Sequence, residues 1–141
     1  MKGCVFCDIE KDKEEIVFED RDFISFLDNL PIFKGHTLLV PKVHYETIFD
    51  VPDELLEKMS LVLKKLSIAV KGGLGCDGIL IINNNIISQS VPHLHVHIVP
   101  RKKGEILKGF MWPRHKYDSV GEMETYARSI RKELEKTGSS R

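Results

Sequence analysis

At 141 residues, 42% of them hydrophobic, the chain is long enough for one domain with a proper core. Its 21 Lys and Arg balance 21 Asp and Glu, so the formal net charge is zero and no broad attraction to nucleic acid or an acidic membrane is expected. No apolar run approaches the ~20 residues of a membrane span, and Met1-Lys2-Gly3-Cys4 lacks the apolar stretch of a signal peptide, so a cytoplasmic protein is expected.

The first motif along the chain is Cys4-Val5-Phe6-Cys7. A Cys-x-x-Cys pair occurs in zinc sites and in redox proteins, and it can also be inert. Alternating or β-branched runs then predict strands over 15–19, 23–28 and 36–40. A helix is expected to open around Val51-Pro52-Asp53 and to end at Gly72-Gly73, because Pro suits a first helical turn and Gly a C-terminus. Leu55, Met59, Val62, Leu66 and Ala69 recur at steps of three and four, giving that helix one packing face. Cys76 follows without an obvious partner. Strands are expected over 78–82 and 93–99. A second helix follows Ser119-Val120-Gly121-Glu122, a capping-box pattern, with Met123, Tyr126, Ile130 and Leu134 on one stripe. Residues 137–141 read as a frayed tail. Five strands with only two helices predict an α+β fold, an antiparallel sheet with a long helix on one face plus a C-terminal helix. The whole chain, 1–141, reads as one domain, with its motifs in 3–101 and a C-terminal extension over 102–141.

The most informative stretch is Val91-Pro92-His93-Leu94-His95-Val96-His97-Ile98-Val99-Pro100, which holds three of the six histidines. Strand alternation sends Leu94, Val96 and Ile98 to a core and the three imidazoles to the other face. Imidazole changes charge near neutral pH and serves as nucleophile, acid, base or metal ligand. Neighbours two apart on a strand are separated by roughly 7 Å, so adjacent histidines could share one zinc but all three could not. The row is therefore divided between roles or holds no metal. Four soft ligands for a structural zinc are available in Cys4, Cys7, His44 and His93.

Asp28 ends a predicted strand and suits a turn, but a carboxylate there can also accept hydrogen bonds from a ribose diol. Phe6, Ile9 and Phe26 are apolar neighbours able to wall a base pocket. Asn83-Asn84-Asn85 and Ser88-Gln89-Ser90 run into the histidine row, and such amides and hydroxyls are the donors phosphoryl oxygens need. The chain has no Gly-x-x-x-x-Gly-Lys loop and no acidic cluster suited to magnesium, so phosphate chemistry here must be metal-free and histidine-based. His36 and His115 stand alone and read as structural or surface histidines.

These residues resemble the histidine triad (HIT) family in its zinc-containing branch. The resemblance rests on His93-x-His95-x-His97, on Gly35-His36-Thr37-x-x-Val40-Pro41-Lys42-x-His44 upstream, on Asp28 before that, and on Gln89-Ser90 ahead of the triad. It spans roughly residues 3 to 101. It implies a homodimer with a nucleotide site in each subunit, hydrolysing or transferring AMP-type purine nucleotides at the α-phosphate. Phosphoramidates, aminoacyl-adenylates and dinucleoside polyphosphates are the implied substrates. Carried over, His95 is the nucleophile that becomes nucleotidylated, and His97 assists proton movement. Gln89, Ser90 and either Asn83 or Asn84 bind phosphate oxygens, and Asp28 binds ribose. Cys4, Cys7, His44 and His93 hold one structural zinc per subunit. The loop 83–89 departs from the family pattern in lacking glycine. A binding module without relevant turnover is the alternative from a different class. A nucleic-acid binder is disfavoured by the neutral charge.

Overall fold

The structure, a computed structural model, describes residues 3–9, 14–105 and 114–136. The predicted tail over 137–141 lies outside the described residues, as does 106–113. The chain divides into two compact units, 1–105 and 106–141.

The first unit is a five-stranded sheet in the order β1-β2-β3-β5-β4. The strands are β1 (Ile16–Glu19), β2 (Phe23–Leu27), β3 (Thr37–Pro41), β4 (Gly78–Ile82) and β5 (Val96–Arg101), with helix α1 (Asp53–Leu74) between β3 and β4. Every pairing is antiparallel. The expected α+β fold is what forms. β3 lies at the centre and is buried along its whole length, so its residues alternate between two apolar faces. Leu39 turns to one face with Phe23, Val96 and Ile98, where Met59, Leu66 and Val70 of α1 cover it. Leu38 and Val40 turn to the other face with Ile24 and Phe26, against Phe6, Ile9 and Ile16.

Most element ends move by a residue or two, and two of the shifts have a visible cause. α1 runs through Gly72-Gly73 and stops at Gly75, which takes the left-handed conformation (φ 63°) and returns its N–H to the Lys71 carbonyl. Only that position requires positive φ, and glycine meets it without a Cβ clash. The helix face also drifts, because Val70 is buried where Ala69 is exposed. β5 begins at Val96 instead of His93. The His93 N–H closes a tight turn on the Val91 carbonyl (2.8 Å), and the Leu94 N–H bonds Tyr45 in the loop before α1 (2.6 Å). These two amides are therefore withheld from the sheet ladder. Side-chain alternation survives, with Leu94 inside the helix-covered core and His93 and His95 buried on the opposite side.

The second unit holds helix α2 (Val120–Lys136). Its capping box forms as expected. Ser119 Oγ accepts from the Glu122 N–H (3.0 Å), and the Glu122 carboxylate reaches back to the Asp118 N–H (3.0 Å).

Ile98 is fully buried against both β3 and α1, whereas Leu30 in the loop after β2 is exposed. Urea denaturation is expected to show Ile98→Ala costing about 2–5 kcal/mol, with Leu30→Ala within about 0.5 kcal/mol of the parent.

Candidate functional site

Register builds the site. Ile16 pairs with Phe26, Phe26 with Leu38, Leu38 with His97, and His97 with Ile82. Directly opposed residues in a ladder share a face. The row therefore runs apolar from β1 to β3 and becomes imidazole at β5. Above it lies a hollow of about 450 Å³, walled by Phe6, Ile9, Phe26, Leu38 and Asp28, with Ser90, His95 and His97 at its polar end. The Phe6 ring stands 5.5 Å from Phe26 and 5.1 Å edge-on from His95, so it bridges the two ends.

Hydrogen bonds assign the ring protons. His95 Nδ1 lies 2.6 Å from the His93 carbonyl, which can only accept, so Nδ1 carries the proton and Nε2 keeps its lone pair. His36 Nδ1 accepts the Ile32 N–H (3.1 Å), leaving the proton on Nε2. That Nε2–H donates to His97 Nδ1 (2.9 Å), so neutral His97 carries its own proton on Nε2. The site thus presents one bare ring nitrogen and one N–H from adjacent residues on the same face, their rings 4.9 Å apart.

Burial and repulsion from neighbouring imidazoles keep His36 and His97 neutral. Burial, then the neighbouring His95 and His36, lower the His97 pKa to about 4, against a partial opposing effect of Asp28. Burial lowers His36 as well, although the Asp28 carboxylate stands 3.7 Å from its Nε2. Desolvation outweighs that attraction, and the Asp28–His36 contact is a dipolar one between a carboxylate and a neutral ring.

His36 corrects the sequence reading. Far from standing alone, it is 2% exposed and sits between Asp28 and His97. The signal was present in the alternation of His36, Leu38 and Val40. Asp28 meets its reading as a turn residue. Its Oδ1 accepts the Leu30 N–H in a turn (2.9 Å), and its side chain lines the hollow.

A second cluster gathers Cys4, Cys7, His44 and His93, with ligand atoms all within 4.8 Å of one another. His93 Nδ1 lies 3.4 Å from Cys4 Sγ and 3.5 Å from Cys7 Sγ, and His44 Nδ1 lies 3.3 Å from Cys7 Sγ. A tetrahedral zinc with bonds of ~2.3 Å to sulfur and ~2.0 Å to nitrogen has S–N edges of about 3.5 Å. His93 Nε2–H donates to the Pro41 carbonyl (2.8 Å), which directs Nδ1 to the thiols. Burial of the Cys7 thiol, followed by its hydrogen bond with Cys4, raises its pKa, a penalty that a cation would reverse. The donor set fits zinc.

The polar loop behaves differently from its expectation as a row of phosphate donors. Asn83 Nδ2 donates to the His95 carbonyl (2.9 Å), and its Oδ1 accepts from Asn85 (2.6 Å). Gln89 bonds the Glu46 carbonyl (2.5 Å) and the Ile86 N–H (3.0 Å). Among the described residues the hollow is lined by Ser90 but not by Asn83, Asn84 or Gln89. The loop makes its left-handed turns without glycine, at Ile86 (φ 73°) and Ser88 (φ 60°). For a β-branched residue that conformation is strained.

The family profile of the HIT domain matches residues 10–104. The chain belongs to the HIT domain family. Among its HIT relatives it is 38% identical to an uncharacterized HIT-like protein of Saccharolobus solfataricus, over 77% of this chain and 82% of that one. It is 32% identical to the adenosine 5'-monophosphoramidase HNT1 of Saccharomyces cerevisiae, over 86% and 78% of the two chains. The fold matches the crystal structure of a HIT family member from Bacillus subtilis with a TM-score of 0.82 at 32% identity, over 93% and 96% of the chains. A zinc-bound histidine triad family protein from Mycobacterium smegmatis matches with a TM-score of 0.67 at 30% identity, over 96% and 97%. In this HIT domain no described helix is long and apolar enough to cross a membrane.

The His97 pKa, about 4 when folded against 6.5 as reference, gives stability a definite pH slope. Below pH 6.5 the unfolded chain takes a proton that folded His97 refuses, so stability falls from there towards pH 4. Thermal melting across pH 4–8 is expected to show that fall, with a shallower slope in His97→Gln.

Proposed function

We propose that this HIT protein is a nucleotide hydrolase or nucleotidyl transferase that attacks the α-phosphate of AMP-type conjugates through His95. The observation that carries this is the proton on His95 Nδ1, which leaves a bare Nε2 facing a nucleotide-sized hollow beside the His97 N–H. The name of the yeast monophosphoramidase relative supports the substrate class.

The roles follow from position. The purine lies among Phe6, Ile9 and Phe26, and Asp28 takes the ribose hydroxyls. Ser90 is the phosphate donor that lines the hollow. Asn83 positions His95 through its carbonyl, and Gln89 braces the loop, while Asn84 is half-buried beside them. For a phosphoramidate, His95 Nε2 attacks phosphorus, a P–N bond to imidazole forms and the P–N bond to the amine breaks. The departing nitrogen takes its proton from solvent water, while His97, its ring held by the His36 N–H, keeps its Nε2–H and hydrogen-bonds the leaving group. Water, or another acceptor in the transferase mode, then attacks the nucleotidyl-histidine, gives its proton to the hydroxide left by the first step, and the P–N bond to His95 breaks. Two displacements replace one difficult step.

Zinc held by Cys4, Cys7, His44 and His93 would fix the N-terminal segment and the residue two before the nucleophile. Exposed Leu61 and Ile68 on α1, and Ile81 on edge strand β4, favour a homodimer built across that side. A reducing cytoplasm suits the free thiols.

His95→Asn is expected to lower kcat on adenosine 5'-phosphoramidate by about a thousandfold or more while AMP still binds. Equal turnover by the variant would remove His95 from the chemistry, and AMP binding without wild-type turnover would favour a binding module. Elemental analysis should find one zinc per chain, lost in Cys7→Ala together with roughly 10 °C of melting temperature.

A further inference from the structure

A second hollow of about 400 Å³ lies beside the nucleotide hollow, and Val5, Ser90 and Val91 line both. Cys4, His44 and Glu46 are among its other walls. The two polar sides of this hollow are tied together. Gln89 Nε2 donates to the Glu46 carbonyl (2.5 Å), and Gln89 Oε1 holds the Ile86 N–H, so the turn carrying Ser90 is braced against the loop carrying Glu46.

Charge gives this hollow a chemical preference. Two thiolates balance a zinc dication and the ligating imidazoles are neutral, so Cys4 and His44 contribute no net charge when the metal is bound. Glu46 then supplies the only net charge of the lining described here. It is exposed and pairs with no cation among the described residues. Lysine and arginine, the side chains that would receive a phosphate chain, are absent from the described lining of both hollows.

With the nucleotide in the first hollow, in-line displacement sends the leaving group away from His95 Nε2, and Ser90 borders both hollows. We infer that the second hollow receives this leaving group and that Glu46 selects leaving groups bearing a positive charge over anionic phosphate chains. This rests on the nucleotide reading above and narrows its substrates to AMP conjugates of cationic amines, setting dinucleoside polyphosphates aside.

The test separates binding from turnover. AMP monoesters of two equal-length alkyl chains, one ending in ammonium and the other in hydroxyl, are titrated into His95→Asn protein by calorimetry. The ammonium ester is expected to bind about fivefold more tightly, with the ratio shrinking as salt is raised. Adding Glu46→Gln should bring the ratio near one, and Glu46→Lys should invert it. A ratio near one in the His95→Asn protein, or a fivefold ratio that survives both Glu46 substitutions, overturns the assignment. Wild-type turnover of unsubstituted adenosine 5'-phosphoramidate is measured beside it. Failure of that turnover with the ratio intact would sink the hydrolase reading and leave the subsite standing.

Discussion

The buried backbone and ring of His93 hold three parts of the molecule in place at once. Its Nε2–H donates to the Pro41 carbonyl at the end of β3, its Nδ1 faces the two N-terminal thiols, and its carbonyl accepts the His95 Nδ1–H. A ring 0% exposed, with both nitrogens committed, has little freedom to rotate. The orientation of the His95 ring is thereby inherited from the sheet and from the Cys/His cluster. The cluster and the hollow are consequently one construction. Cys4 and Cys7 bracket Phe6, whose ring touches His93, His95 and Phe26.

The sheet supplies the polarity of the hollow. A single cross-strand row carries Ile16, Phe26 and Leu38 up to His97, so an apolar platform meets the imidazoles without a break. The same burial that makes the platform apolar lowers the pKa of His36 and His97. The loop before His93 contributes by bracing: its amides hold the His95 carbonyl and the Glu46 loop, and the strain at Ile86 is confined to that connection.

Much of this was legible in the residues. The period-two run around the triad separated Leu94, Val96 and Ile98 from the histidines correctly, because alternation persists even where the ladder does not. The steps of three and four on α1 found Met59 and Leu66, but chose Ala69 over Val70. A period of 3.6 cannot be tracked over a 22-residue helix by fixed steps. Gly72-Gly73 was an attractive stop, yet a helix ends where the chain needs positive φ, and that need arose at Gly75. Alternation with Leu38 and Val40 gives the face of His36, but not its partner His97, which is distant in the chain.

The sequence by itself determined the fold class and the membership of the Cys/His cluster, because these depend on periodicity and donor chemistry that local order records. The tertiary structure decided which ring nitrogen is bare, that His36 joins Asp28 to His97, and that Gln89 serves as a brace outside the hollow. Those outcomes depend on strand register and on backbone carbonyls distant in the chain. Pro41 is 52 positions from His93, and His36 is 61 from His97. Only folding brings such groups within hydrogen-bonding distance.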